Sequence, residues 1–255
     1  MEFVDTHTHL FAEEFKDERA AVIQRALSAS VQSLLLPNID ADSIGDLKAF
    51  SALAPPHCYP MMGLHPCSVK EDYLQQLEKV RQELFSTYKY YAVGEIGLDL
   101  YWDKSTADIQ KIALLQQCQW AVELGIPVSL HTRDAVSETI ACLKTMDKRP
   151  AGVFHCFTGS IAEAQEIIAL GYALGIGGVV TFKNSHLPNV LRDIPLERLV
   201  LETDSPYLAP VPFRGKRNES GYIPHIAGKL AEIYNVGIEV VAATTTATAK
   251  SIFKL

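Results

Sequence analysis

Short runs of consecutive apolar residues alternate along this chain with longer stretches in which apolar residues recur every three or four positions. The short runs predict strands at 3–6 (FVDT), 31–36 (VQSLLL), 58–64 (CYPMMGL), 90–95 (YYAVGE), 126–131 (IPVSLH), 152–156 (GVFHC), 172–177 (YALGIG) and 198–202 (RLVLE). The longer stretches predict helices over 12–29, 70–87, 106–124, 134–147 and 160–170, with two more in 222–254. In 106–124 the positions Ile109, Ile112, Ala113, Leu115, Cys118 and Val122 make a helical stripe. Gly125 and Pro127 then stop that helix before the next strand. Strands in strict alternation with helices call for a parallel sheet, and about 250 residues is the usual size of an eightfold β/α barrel. The expectation is therefore an α/β fold: a single (β/α)8 barrel occupying residues 1–255, preferred over an open doubly wound sheet. No linker or internal repeat divides the sequence.

A barrel changes the meaning of the histidines and acids, because the carboxyl ends of all its strands meet on one face. His7 and His9 follow the first strand in DTHTHL, and His65 follows the third in GLHP. Glu95, His131 and His155 close the fourth, fifth and sixth, and Asp204 follows the eighth in LETDSPYL. Each alone reads as an ordinary core or rim residue. Burying them together without a cation would leave many polar groups unsatisfied. The set exceeds the three protein ligands usual for one catalytic zinc, so two divalent cations are expected. His7, His9 and Asp204 would hold one, His131 and His155 the other, and Glu95 both. Such a pair clamps the attacking and leaving oxygens of a displacement at phosphorus, with a water held between the cations as nucleophile. Strand alternation puts Asp5 on the face of His7 and His9, where it and Glu202 are expected to support the ligands rather than join them.

Bulk composition narrows the partners. The formal charge of −7, from 23 basic and 30 acidic residues, argues against an extended basic face gripping duplex DNA. Five scattered cysteines without a CxxC pair point to reduced thiols. No apolar stretch approaches membrane-spanning length, and no secretory signal pattern opens the sequence. The expectation is a cytoplasmic enzyme with no membrane association and no obligate protein partner.

DTHTHL, GLHP, VGEIGLD, HTRDA, FHCFTGS and LETDSPYLAPVPFRGKRNE resemble, in order from residue 3 to about 219, the signatures of the TatD family of metal-dependent deoxyribonucleases, which are amidohydrolase-like barrels. The resemblance implies a two-cation site and Mg²⁺-supported hydrolysis of phosphodiesters, often 3′→5′ on single-stranded DNA ends. The family's metal positions match His7, His9, Glu95, His131, His155 and Asp204, and its phosphate-facing histidine matches His65. Asp204, Glu95 and His65 are accordingly the expected catalytic residues, with His65, Arg133 and Arg214 facing substrate. Either arginine could grip a phosphate or tie the rim together by salt bridges. The imidazole-rich donor set would by softness favour Zn²⁺, Mn²⁺ or Ni²⁺ over the Mg²⁺ that the family implies. One departure is RNES at 217–220 where the family commonly has RNEP, which is expected to loosen a turn near the mouth. Tyr101 and Trp102 could stack an unpaired base or pack the rim. The competing functions are an ester, lactone or amide hydrolase or a D-aminoacyl-tRNA deacylase on the same barrel, and a metal-dependent scaffold without activity.

Overall fold

Parallel strands run in two hydrogen-bonded sets. The first comprises β1 (Phe3–Asp5), β2 (Val31–Pro37) and β3 (Cys58–Met61). The second comprises β4 (Val93–Asp99), β5 (Val128–Arg133), β6 (Gly152–Phe154), β7 (Ala173–Ile176) and β8 (Leu199–Leu201). Both gaps are bridged. Met62 pairs with Val93 and donates its N–H to Ala92 at 3.1 Å, while Thr6 donates to Leu201 at 2.9 Å and Thr8 pairs with Ser205. Neighbours in space thus follow chain order all the way round, and the computed structural model, which describes residues 1–255, is a TIM-type β/α barrel.

The helices are α1 (Arg19–Ser28), α2 (Ile44–Ser51), α3 (Tyr73–Leu84), α4 (Ala107–Leu124), α5 (Val136–Lys144), α6 (Ile161–Ala169), α7 (Leu187–Leu191), α8 (Ile223–Tyr234) and α9 (Ile238–Phe253). Their ends follow local chemistry. Ser160 and Glu163 close a reciprocal capping box at the start of α6, and α4 stops where Gly125 takes the left-handed φ of 64°. The helical stretch expected at 12–29 divides into a 3₁₀ segment, Glu13–Glu18, and α1. Helices α2 and α7 fall outside the expected set; they are short, with little room for a repeating stripe.

Two apolar clusters explain the strand patterns. The larger lies between strands and helices and includes Leu34 and Leu36 of β2. The smaller gathers Val4, Leu35, Met61, Ala92, Val153, Ala173 and Val200 and is closed by Ala249 and Phe253 of α9. Strand residues alternate between the helix-facing layer and this barrel interior, so β2 reads as continuously apolar rather than alternating. Each fully buried leucine contributes on the order of 1.5–3 kcal/mol. The carboxyl ends of the strands, opposite the α9 plug, are free to carry polar groups. No helix is long and apolar enough to cross a membrane, and all five cysteines are unpaired.

Candidate metal centre

Strands β4 and β5 run further than their apolar segments suggest, to Asp99 and Arg133, so Glu95 and His131 sit within strands rather than at their ends. The register between β4 and β5 is irregular between Val93 and Ile96, next to Glu95. Gly97 makes the close approach of the two strands possible. Its φ is +148°, and a Cβ there would lie 2.0 Å from the carbonyl oxygen of His131.

The carboxylate of Glu95, almost fully buried, faces two groups of imidazoles with its two oxygens. Oε2 lies 3.1 Å from His7 Nε2 and 3.4 Å from His9 Nε2. Oε1 lies 2.7 Å from both His131 Nδ1 and His155 Nε2, and 3.4 Å from His65 Nε2. Asp204 Oδ1 stands on the first side, 3.8 Å from His9 Nε2 and 4.0 Å from His7 Nε2. Asp204 adopts a left-handed φ of 55°, which aspartate tolerates better than most residues. The fold thus brings all six expected ligands and His65 into one cluster, with metal-compatible triads at His7–His9–Glu95, His7–His155–Asp204 and His65–Glu95–His131.

The far ring nitrogens separate these histidines by role. His7 Nδ1 lies 3.0 Å from Ser129 Oγ, and His131 Nε2 lies 3.0 Å from Asp99 Oδ2. Each His131 nitrogen faces a carboxylate, which accepts only, so the ring donates Nε2–H to Asp99 and Nδ1–H to Glu95. Giving up the Nδ1 proton to a cation would leave Nε2–H on Asp99 and a lone pair at Nδ1. Ser129 can accept from His7 in the same way. His65 is reversed: its Nδ1 accepts the Cys67 N–H at 3.0 Å, so its neutral ring carries the proton on Nε2, aimed into the cluster. A nitrogen bearing a proton donates hydrogen bonds and does not ligate a cation. Distance alone would make His65 a ligand candidate, and its hydrogen bonding distinguishes it.

The electrostatics call for positive charge. Burial alone would push the Glu95 carboxyl up, but His155, His65 and His7 outweigh it and hold it well below the usual range. Burial opposes protonation of His155, yet Glu95 and Glu202 raise it well above an ordinary histidine. Burial likewise opposes protonation of His131, which its bonds to Asp99 and Glu95 raise. Burial lowers His7 and His65 and pushes Asp204 up to about 6. No lysine or arginine pairs with Glu95 or Asp204. Two carboxylates among imidazoles, with no other cation, are a donor set that fits divalent metals, and such an ion would draw Asp204 back down.

The remaining expected residues fall in several places. Asp5 does not share the face of His7 and His9, because β1 ends at Asp5 and the alternation ends with it. Its carboxylate instead accepts from Thr203 N at 3.0 Å and Thr203 Oγ1 at 2.6 Å, bracing the loop that carries Asp204. Glu202 Oε1 lies 3.7 Å from His155 Nδ1. Arg133 makes no ion pair; its guanidinium lies 3.9 Å over the Tyr101 ring. Arg214 rests on Phe182, 4.4 Å from the ring centre, and makes no ion pair. The RNES segment is tied to its surroundings by side-chain bonds. Asn218 donates to Thr203 and Tyr207 at 2.7 Å, and Arg25 grips Glu219 through both carboxylate oxygens. Asp99 and Ser129 were not expected at the site. Asp99 shares strand parity with Glu95, a signal legible in VGEIGLD, whereas nothing local marks Ser129.

The chain matches the model of the TatD related DNase family over residues 4–254. It is 37% identical over 254 residues to the uncharacterized metal-dependent hydrolase YabD of Bacillus subtilis, covering 98% of both chains. It is 34% identical over 258 residues to the 3′-5′ ssDNA/RNA exonuclease TatD of Escherichia fergusonii, again covering 98% of both. Among solved structures, the TatD homologue YjjV of Escherichia coli superposes with a TM-score of 0.93 at 31% identity, over 99% of this chain and 98% of that one.

Proposed function

Because the chain belongs to the TatD family of metal-dependent hydrolases, we propose that it hydrolyses phosphodiester bonds at single-stranded DNA ends, as a 3′→5′ exonuclease using two divalent cations. The observation that carries the two-cation reading is the division of Glu95. One oxygen faces His7 and His9, the other His131 and His155. His7, His9 and Asp204 would hold one cation and His131 and His155 the other, with Glu95 contributing an oxygen to each. Bound there, the cations would supply a water nucleophile at neutral pH and neutralise charge at phosphorus. The donor chemistry favours Zn²⁺, Mn²⁺ or Ni²⁺, while family membership favours Mg²⁺.

The chain's own groups complete the chemistry. The Asp204 carboxylate, whose Oδ1 is turned to His7 and His9, takes the proton of the attacking water on its other oxygen. His65 donates Nε2–H to a phosphate oxygen, a role its bond from Cys67 favours over ligation. The exonuclease name of the Escherichia fergusonii relative supports nucleic acid over a carboxylic ester.

The test is chelation followed by reloading with Mg²⁺, Mn²⁺, Zn²⁺ or Ni²⁺, with bound metal counted and turnover measured on labelled single-stranded DNA, 3′-blocked DNA and a simple ester. Two equivalents of metal, cleavage from the free 3′ end and a block by 3′ modification are expected. Strong ester turnover with no DNA cleavage under any cation would replace this reading with a small-molecule hydrolase.

A further inference from the structure

We propose that Trp102, Tyr101 and Arg133 form a stacking site for an unpaired nucleobase beside the metal centre. This site rests on the nucleic-acid reading above and explains how single strands would be selected. Tyr101 and Trp102 follow β4 after Leu100, and they are 52% and 69% exposed. Rings that served to seal the rim would be covered; these present their surfaces to solvent. They lie edge to face, 4.9 Å between centres at 87°. The Arg133 guanidinium sits 3.9 Å from the Tyr101 ring centre and 5.2 Å from that of Trp102. With no carboxylate partner, its charge is available to a phosphate held beside the rings.

What ties this surface to the chemistry is Asp99. Its Oδ1 accepts the N–H groups of Tyr101 at 3.0 Å and Trp102 at 3.2 Å, while its Oδ2 lies 3.0 Å from Nε2 of His131. A single buried carboxylate thus holds both the loop bearing the rings and a candidate metal ligand. Arg133 is reached from the other side, two residues beyond His131 on β5. A strand end whose phosphate lies among the imidazoles would bring a neighbouring base to these rings. A base within a duplex has both faces stacked and its edge paired, so only an unpaired one can use them. Every base has a π-face, so the site is tolerant of sequence. A net charge of −7 argues against a broad basic surface as the main grip on duplex DNA, which gives local contacts of this kind weight beside the phosphate contacts of the metal centre.

The test compares kcat/KM of the metal-loaded enzyme on single strands ending in ordinary nucleotides and on strands with an abasic residue at either of the last two positions. Wild type is expected to favour the base-bearing end about 5- to 150-fold, the range for one stacked base. Trp102→Ala should collapse that ratio toward one, chiefly through KM; Trp102→Phe should restore much of it, and Trp102→Leu should not. Trp102 is largely solvent-exposed, so these variants should fold. A ratio unchanged in Trp102→Ala, or equal rescue by leucine and phenylalanine, would overturn the stacking site and leave the nuclease reading standing. Failure of wild type to cleave nucleic acid with any cation would overturn the nuclease reading and the site together.

Discussion

Replacing Asp99 with alanine should weaken metal binding although Asp99 is not among the proposed ligands. Its Oδ2 lies 3.0 Å from His131 Nε2 and is buried, and the bonds from His131 and from the Trp102 and Tyr101 N–H groups overcome burial to hold the carboxyl well below its usual range. Truncation leaves the His131 Nε2–H without its acceptor and frees the ring to rotate or change tautomer. A hydrogen bond to a charged group contributes about 1.5–3 kcal/mol. An orienting partner of a metal-bound histidine is typically worth about 10–100-fold in affinity or activity, which is about 1.4–2.7 kcal/mol. The two loop N–H groups released at Tyr101 and Trp102 can find water, so the loss should concentrate on His131. Competition titration of Zn²⁺ or Mn²⁺ against a chelator, without substrate, should show one of two equivalents weakened by about 10–100-fold. Asp99→Asn, whose amide oxygen still accepts but carries no charge, should fall between. Two equivalents bound by Asp99→Ala with wild-type affinity would refute the orienting role.

Glu95→Ala should lose both cations and reduce turnover by orders of magnitude; retention of both metals, counted by elemental analysis, would end the bridging assignment. His65→Ala should keep its metal content yet cut DNA cleavage by about 10²–10⁴-fold, and a parallel loss of metal would make His65 a ligand after all. Asp204→Asn should lower kcat more than it raises KM, and steady-state kinetics showing an effect on KM alone would remove its role as proton acceptor. Phe253→Ala, which empties part of the plug beneath the barrel interior, should cost about 3–5 kcal/mol in denaturant unfolding; a cost under about 1 kcal/mol would mean that α9 contributes little to closing the barrel.

The alternation of β2, α3, α4, β5 and their neighbours was readable from periodicity, because strands buried on both faces and helices buried on one leave different apolar spacings. The gathering of the six candidate ligands into one cluster was readable as well, since a barrel sends the ends of distant strands to one face whatever the loops do. Strand limits were less legible. In β4 the apolar run starts at Tyr90, but pairing with β5 carries the strand to Asp99 through glycines that look like a stop. At β1, alternation could not place Asp5, because a period of two has meaning only while the strand lasts. The sequence by itself determined which chemical groups gather and on which scaffold. The tertiary structure alone decided that Glu95 turns one oxygen to each group of imidazoles, that Ser129 and Asp99 back His7 and His131, and that Cys67 turns His65 into a donor. Those roles depend on distances of about 3 Å between residues remote in the chain, and local sequence carries no record of such distances.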